Sequence, residues 1–277
     1  MFDGYYLYTQ EPNTIDSNAR VYFKEFFFNT KNNFKNRLVR VYLPSTYEDA
    51  NPSKRFKVIY MFDGKNLFDD YTSFVGEWGI DESIEEMIAK NNIDGYIVVG
   101  IDAPSDGFDR SLEMSPFGIE RAHKYKLKGD GYAELLIKFI FEIVKPDIDK
   151  NFYTIPDYTG VGGSSMGGLM ALYVALERQK EIKFCLSFSP ALFLLKWDKF
   201  KLYLDRVITT DFPKTFFYVG GKGFERIFVE NTLRTYNYLM DHGFDHEHVK
   251  IIYDSDKEHN ENAWRQYFPI MLKRIDL

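Results

Sequence analysis

From residue 56 onward the chain alternates short, almost uninterrupted apolar runs with longer stretches in which apolar positions recur every three or four residues. The runs FKVIYMF, GYIVVGI, YTGVGG, KFCLSFS, KTFFYVGG and HVKIIYD have strand length. Their continuous hydrophobicity is what a parallel strand covered on both faces requires. Between them, helices are predicted near 79–91, 131–149, 165–180, 224–242 and 260–274. In the second, Leu135, Leu136, Phe139, Ile140 and Ile143 are spaced as a buried helical stripe, and Pro146 is expected to kink or end it. The first 45 residues differ: ARVYFKEFFFNT and FKNRLVRVYLP flank the turn-like NTKNN and read as an antiparallel hairpin. Strand–helix alternation after such a hairpin predicts an α/β fold with a mostly parallel central sheet and helices on both faces. No repeat, low-complexity tract or flexible linker interrupts the pattern, so a single domain over 1–277 is expected.

Two connections are long. Residues 102–130 and 189–213 each follow a predicted strand and leave its carboxyl end, where open α/β sheets place their ligands. Both are therefore expected to lie over a functional site. Composition adds to this in a few places. Aromatic residues reach 18%, with 26 Phe and 20 Tyr, an excess that leaves some to line a pocket. The net charge of −6, without a compensating basic run, argues against binding nucleic acid or an anionic membrane. A single cysteine, Cys185, excludes an intramolecular disulfide and reads, within KFCLSFS, as a small buried hydrophobe. No apolar run approaches the roughly 18 residues of a membrane span. The N-terminal MFDGYYLYTQEPN has no basic region followed by an apolar stretch, so no signal peptide and a cytoplasmic location are expected. The oligomeric state stays open, a homo-oligomer included.

The densest chemistry lies at 158–179, YTGVGGSSMGGLMALYVALERQ. Read as strand, sharp turn and helix, Gly163-Ser164-Ser165-Met166-Gly167 fits G-x-S-x-G with Ser165 at its centre. In such an elbow the serine is held in a strained conformation that lifts its hydroxyl above the sheet. Gly163 and Gly167 meet the demand for close strand–helix approach, and Gly162 and Gly168 are expected to relieve crowding further out. The alternative is a phosphate-binding turn at a helix start, but neither G-x-G-x-x-G nor G-K-[ST] is present. Ser164 competes with Ser165 but lacks a glycine two residues on.

A serine hydroxyl needs a base. His123 precedes the elbow, and His242, His246 and His248 lie before the last strand, at its amino end. The H-x₃-H-x-H spacing of those three suggests a metal, but without a helix it reads as a solvated loop, and no metal is expected. His259 follows the last strand at its carboxyl end and is the predicted base. For the acid that orients it, Glu225 after KTFFYVGG is the first candidate, with Asp254 and Asp256 as alternatives; Asp211 precedes its strand and is excluded. Two backbone N–H groups are needed for the oxyanion. The candidates are Met166 and, in Asp63-Gly64-Lys65-Asn66, Lys65, with Gly64 letting the backbone turn; an ordinary D-G turn is the other reading.

YMFDGKNLFDD, SFVGEWGIDE, YIVVGID, GVGGSSMGGLMALYVAL and EHNENAWRQYFP together resemble the putative-esterase family of α/β-hydrolases over residues 20 to 275. That family includes esterase D, siderophore esterases of the enterochelin type, feruloyl and acetyl-xylan esterases, and mycolyltransferases. The resemblance implies Ser165 as nucleophile, His259 as base, Lys65 and Met166 as oxyanion amides, and no cofactor. Relatives place the acid two or three residues after the strand's glycine, whereas this chain runs Gly220-Gly221-Lys222-Gly223-Phe224-Glu225. Trp78, Phe193, Leu194 and Trp197 are candidates for an acyl or aryl pocket, with core packing as the other reading. Arg110 and Glu113 are candidates for contacting a polar substrate, against a solvated role. The expected activity is that of a serine carboxylesterase on a small-molecule ester. An acyltransferase, a siderophore-lactone or thioester hydrolase, and a non-catalytic binding relative are the alternatives.

Overall fold

The two N-terminal strands pair as their pattern demands. In the computed structural model, which describes residues 2–29, 34–48, 51, 53–90, 93–116 and 131–275, β2 (Arg20–Asn29) and β3 (Phe34–Leu43) run antiparallel, with Val21 opposite Tyr42. The short β1 (Tyr6–Leu7) extends the same edge, and most of NTKNN lies outside the described residues. All six later apolar runs are strands: β4 (Phe56–Phe62), β5 (Tyr96–Ile101), β6 (Thr154–Ser164), β7 (Ile182–Phe188), β8 (Lys214–Gly220) and β9 (Val249–Asp254). They complete one sheet in the order β1-β2-β3-β5-β4-β6-β7-β8-β9, antiparallel up to the β3–β5 pair and parallel from β5 to β9.

The continuous apolar runs still obey the two-residue period of a strand, because each face has its own core. Val58, Tyr60 and Phe62 of β4, Val99 of β5, Cys185 of β7 and Phe217 of β8 enter one cluster. Ile59 and Met61, Val98, Phe184 and Leu186, and Phe216 enter the other. The first cluster is covered by α5 (Met166–Glu177), α6 (Trp197–Val207), α7 (Arg226–Asp241) and the helical stretch 133–151. The second is covered by α1 (Ile80–Ala89) and α8 (Glu261–Ile275). Met166 to Leu176 of α5 are all buried, which makes it a central helix that is apolar all round. Cys185 is fully buried, and burial pushes its thiol up.

Three findings go beyond or against the sequence expectations. Pro146 does not end its helix: α3 (Ala133–Lys138) continues through a π-helical turn, Phe139–Val144, into α4 (Lys145–Asn151). The wider turn accommodates a residue that has no N–H to donate, and it advances the buried stripe by one residue. Val144 is accordingly fully buried, while Ile143 is 47% exposed. Second, the long connections carry helices of their own, α6 in 189–213 and α2 (Gly107–Glu113) in 102–130; residues 117–130 lie outside the described residues. The α2 start is capped by Asp106, which accepts from Phe108 N (2.8 Å) and Asp109 N (3.0 Å). Third, Glu113 is no solvated loop charge. It is fully buried and receives both arms of Arg37, at 2.6 and 2.8 Å, which ties α2 to β3. Among the described residues, no helix is long and apolar enough to cross a membrane.

Candidate active site

Three neighbouring strands of the sheet end on strained backbone. Asp63 (φ 59°) follows β4, Ser165 (φ 56°, ψ −117°) follows β6 and Ser189 (φ 44°) follows β7; among the described residues these are the non-glycine residues with positive φ. Each such conformation costs about 1–3 kcal/mol and persists only where its surroundings enforce it. Around Ser165 the enforcement is explicit. Its N–H donates to Phe188 O (2.9 Å), and its carbonyl accepts from Leu169 N and Ala191 N, both at 3.0 Å. The chain is thereby pinned on both sides of the turn between β6 and α5.

The glycines around it are needed for different reasons. A Cβ on Gly163 would stand 2.7 Å from the carbonyl group of Gly167, and one on Gly168 would stand 2.5 Å from Phe188 O. A Cβ on Gly167 would meet Phe62 of β4 at 3.0 Å. Gly162 differs from expectation, since a methyl there would meet nothing closer than 3.5 Å. Gly163→Ala is therefore expected to cost about 1–3 kcal/mol as an overpacked site. Gly162→Ala should fall within about 0.5 kcal/mol of the parent. Urea denaturation of the two variants checks this, and equal losses would contradict it.

His259 sits between β9 and α8. Its Nδ1 is hydrogen-bonded to Glu225 Oε2, and its ring stacks on Phe228 at 4.2 Å and meets Trp264 edge-on at 4.9 Å. Glu225 ends a 3₁₀ turn, Gly223–Glu225, and is fully buried. Its Oε1 accepts from Gly220 N (2.9 Å) and from the hydroxyl of Ser189, which in turn accepts from Trp264 Nε1 at 3.0 Å. Asp254 instead accepts from the Tyr267 hydroxyl and from Asp256 N, and Asp256 is exposed; neither is bonded to His259. Ser189 was not visible as a candidate in the sequence. Its only local signal is its place directly after a buried strand and before Pro190.

Ser165 and His259 line one cavity of about 350 Å³, together with Lys65, Asn66, Phe74, Arg110, Glu261 and Trp264. No hydrogen bond joins Ser165 to His259 among the described residues; such bonds tighten as substrate binds. Met166 opens α5, and Lys65 is second in a 3₁₀ turn, Gly64–Asn66. N–H groups at helix starts have no intrahelical acceptor. The positive φ of this turn belongs to Asp63, not Gly64. Gly64 is required because a Cβ there would lie 2.7 Å from the Gly100 backbone of β5.

The remaining predicted contacts separate into two groups. Arg110 lines the cavity, with its Nε and Nη2 each donating to Asp63 at 2.6 Å. Trp78 is buried against Phe188 and Trp264, Phe193 packs edge-on against Phe228, and Trp197 packs with Phe200. None of these three, nor the buried Leu194, is in the cavity wall. Its apolar side comes from Phe74, Val75, Ala103 and Pro104, none of which the sequence singled out. Glu261, also unforeseen, is buried in that wall. Burial, aided by the Asp63 charge and opposed by its own backbone N–H and by Arg110, pushes its carboxyl up to about 7. The other histidines lie elsewhere: His242 stacks on Tyr238, His246 bonds the Tyr236 hydroxyl, and His248 Nε2 donates to Phe212 O. His123 lies outside the described residues, among which no group of three His, Cys, Asp or Glu is placed to hold a metal.

Comparison with known proteins follows this geometry. A family model described as "Putative esterase" matches residues 33–275. No curated protein matches. Among solved structures, the BES protein from Bacillus cereus is 20% identical, with 97% of this chain and 98% of that chain covered and a TM-score of 0.66. The siderophore hydrolase EstA from Aspergillus nidulans is 16% identical (92% and 95% covered, TM-score 0.69). The feruloyl esterase module from Clostridium thermocellum, complexed with sinapinate, is 15% identical (98% and 95% covered, TM-score 0.65). At these identities the likeness is one of fold.

Proposed function

The chain belongs to the putative-esterase family of α/β-hydrolases and is an ester-hydrolysing enzyme; from that premise we propose that it is a serine carboxylesterase working through Ser165, His259 and Glu225. The observation that carries this reading is the pairing of a buried Glu225 with His259 Nδ1 in the same cavity as a serine held at φ 56°. With Nδ1 committed to the carboxylate, Nε2 is the nitrogen left to take a proton. Ser165 Oγ attacks the ester carbonyl as its proton passes to Nε2, and the oxyanion is received by the N–H groups of Met166 and Lys65. Collapse expels the alcohol, which takes the proton from the imidazolium. Water, deprotonated by His259 in its turn, then hydrolyses the acyl-enzyme and restores the serine. None of these steps calls for a metal or an organic cofactor. Stacking on Phe228 and the edge contact with Trp264 hold the imidazole plane, so its motion need not be frozen out at each turnover.

A cavity of about 350 Å³ is at the small end for ligand sites, which supports a small ester as substrate. We read the chain as one catalytic domain in which the segment after β5 forms a cavity wall through Ala103, Pro104 and Arg110. The connection after β7 backs the site instead, through Phe193 on Phe228. The test is active-site labelling with a fluorophosphonate and peptide mapping of the adduct. Labelling at Ser165, with a stoichiometric burst of alcohol from a p-nitrophenyl ester, is the expected result; an adduct at Ser164, or none, would refute the assignment.

A further inference from the structure

The cavity wall contains two acids, and among the described residues only one of them is held in an ion pair. Both oxygens of Asp63 are bound by Arg110, at 2.6 Å each. Glu261 is 8% exposed, and its one side-chain partner among the described residues is Asn66 Nδ2, at a long 3.5 Å. The Asn66 amide is fixed in that orientation, because its Oδ1 accepts from Phe74 N at 3.1 Å. The carboxyl also accepts from its own backbone N–H, and as part of the cavity wall it keeps lone pairs for a further donor there. The esterase mechanism itself has no task for this carboxyl.

Resting on the esterase reading above, we propose that Glu261 selects the substrate, by hydrogen bonding a neutral hydroxyl carried by the ester outside its scissile group. The charges around it weigh against the other ligand chemistries. A substrate carboxylate or phosphate would face Glu261 itself. A substrate ammonium would enter a cavity already lined by Lys65 and Arg110. A hydroxyl suits both protonation states of Glu261: it donates to the carboxylate and accepts from the acid. With the carboxyl pushed up to about 7, both states are populated near neutral pH. The residue thus acts on specificity, through the difference between a hydroxylated ester and its deoxy counterpart.

The test compares kcat/KM within matched pairs. Methyl hydroxybutyrate against methyl butyrate places the hydroxyl on the acyl side, and glyceryl monobutyrate against propyl butyrate places it on the alcohol side. The hydroxylated member of one pair is expected to be preferred about tenfold or more, the worth of one hydrogen bond to an ionisable group. In Glu261→Met, which keeps length but removes the acceptor, that ratio should fall to about twofold or less, while Glu261→Gln, a closer match in shape, should give an intermediate ratio. Using a ratio cancels any loss common to both esters. A flat ratio in both wild-type pairs would overturn the proposal, as would a ratio that survives Glu261→Met. Preference for methyl aminobutyrate over the hydroxy ester would also overturn it. Fluorophosphonate labelling of the same samples separates the two readings: labelled enzyme with a flat ratio condemns the role of Glu261 alone, and unlabelled wild-type enzyme condemns the triad.

Discussion

Ser165→Ala is expected to lower kcat/KM for a simple ester by about 10⁴- to 10⁶-fold, leaving the residual rate that oxyanion donors and binding alone sustain. The size of the effect follows from what is lost: of the cavity's serines, Ser105, Ser164 and Ser165, only Ser165 has the strained backbone of an elbow nucleophile. Ser164 lines the same cavity, but as the last residue of β6 it lies in regular strand and lacks the positive φ of Ser165. Ser164→Ala should therefore retain fluorophosphonate labelling. The strained backbone adds a second readout. Glycine takes φ 56° freely and alanine does not, so Ser165→Gly should be more stable than Ser165→Ala by about 1 kcal/mol, although both are inactive. Thermal denaturation of the pair measures this. If Ser165→Ala keeps more than a hundredth of the activity, or if the two variants melt together, the elbow as described here is wrong.

The second large effect is expected at Glu225. Glu225→Gln should lower kcat by about 10³- to 10⁴-fold. One amide position can still accept from Gly220 N and Ser189, as Oε1 does now. The other then presents an NH₂ to His259 Nδ1, where Oε2 stands in the native protein. Two donors cannot face each other, so the imidazole adopts the opposite tautomer, with its proton on Nε2 and no lone pair for the serine proton. Nitrogen NMR of the imidazole reports that change directly, apart from any effect on stability. Asp254→Asn is the control, because Asp254 is bound to Tyr267 and not to His259. Activity retained in Glu225→Gln but lost in Asp254→Asn would transfer the acid's role to Asp254.

Much of the fold was legible along the chain. The six apolar runs are strands because a parallel strand buried on both faces has no polar alternative, and the hairpin is recognisable from its own composition. The π-helical turn was not legible. It arises where Pro146 meets a helix already committed to the core, and the signal that placed Ile143 inside assumed an unbroken period. The same division runs through the site. Gly163, Ser165 and Gly167 are readable because strand, turn and helix are contiguous, so the steric demand is written in adjacent positions. Trp78, Phe193 and Trp197 carry no comparable signal: an aromatic side chain satisfies a core and a cavity wall equally well, and only packing shows that these three are absent from the cavity wall.

Taken alone, the sequence determined the parallel strands, the tight turn at Ser165 and the place of His259 after the last strand, since each follows from local sterics or from strand polarity. Tertiary structure decided which carboxylate meets that histidine, that Ser189 and Trp264 hold it in place, and that Glu261 stands in the cavity wall beside Asn66. These contacts join positions 34, 36, 75 and 195 residues apart. What brings them together is the order in which β4, β6, β7 and β8 lie side by side, which no spacing along the chain encodes.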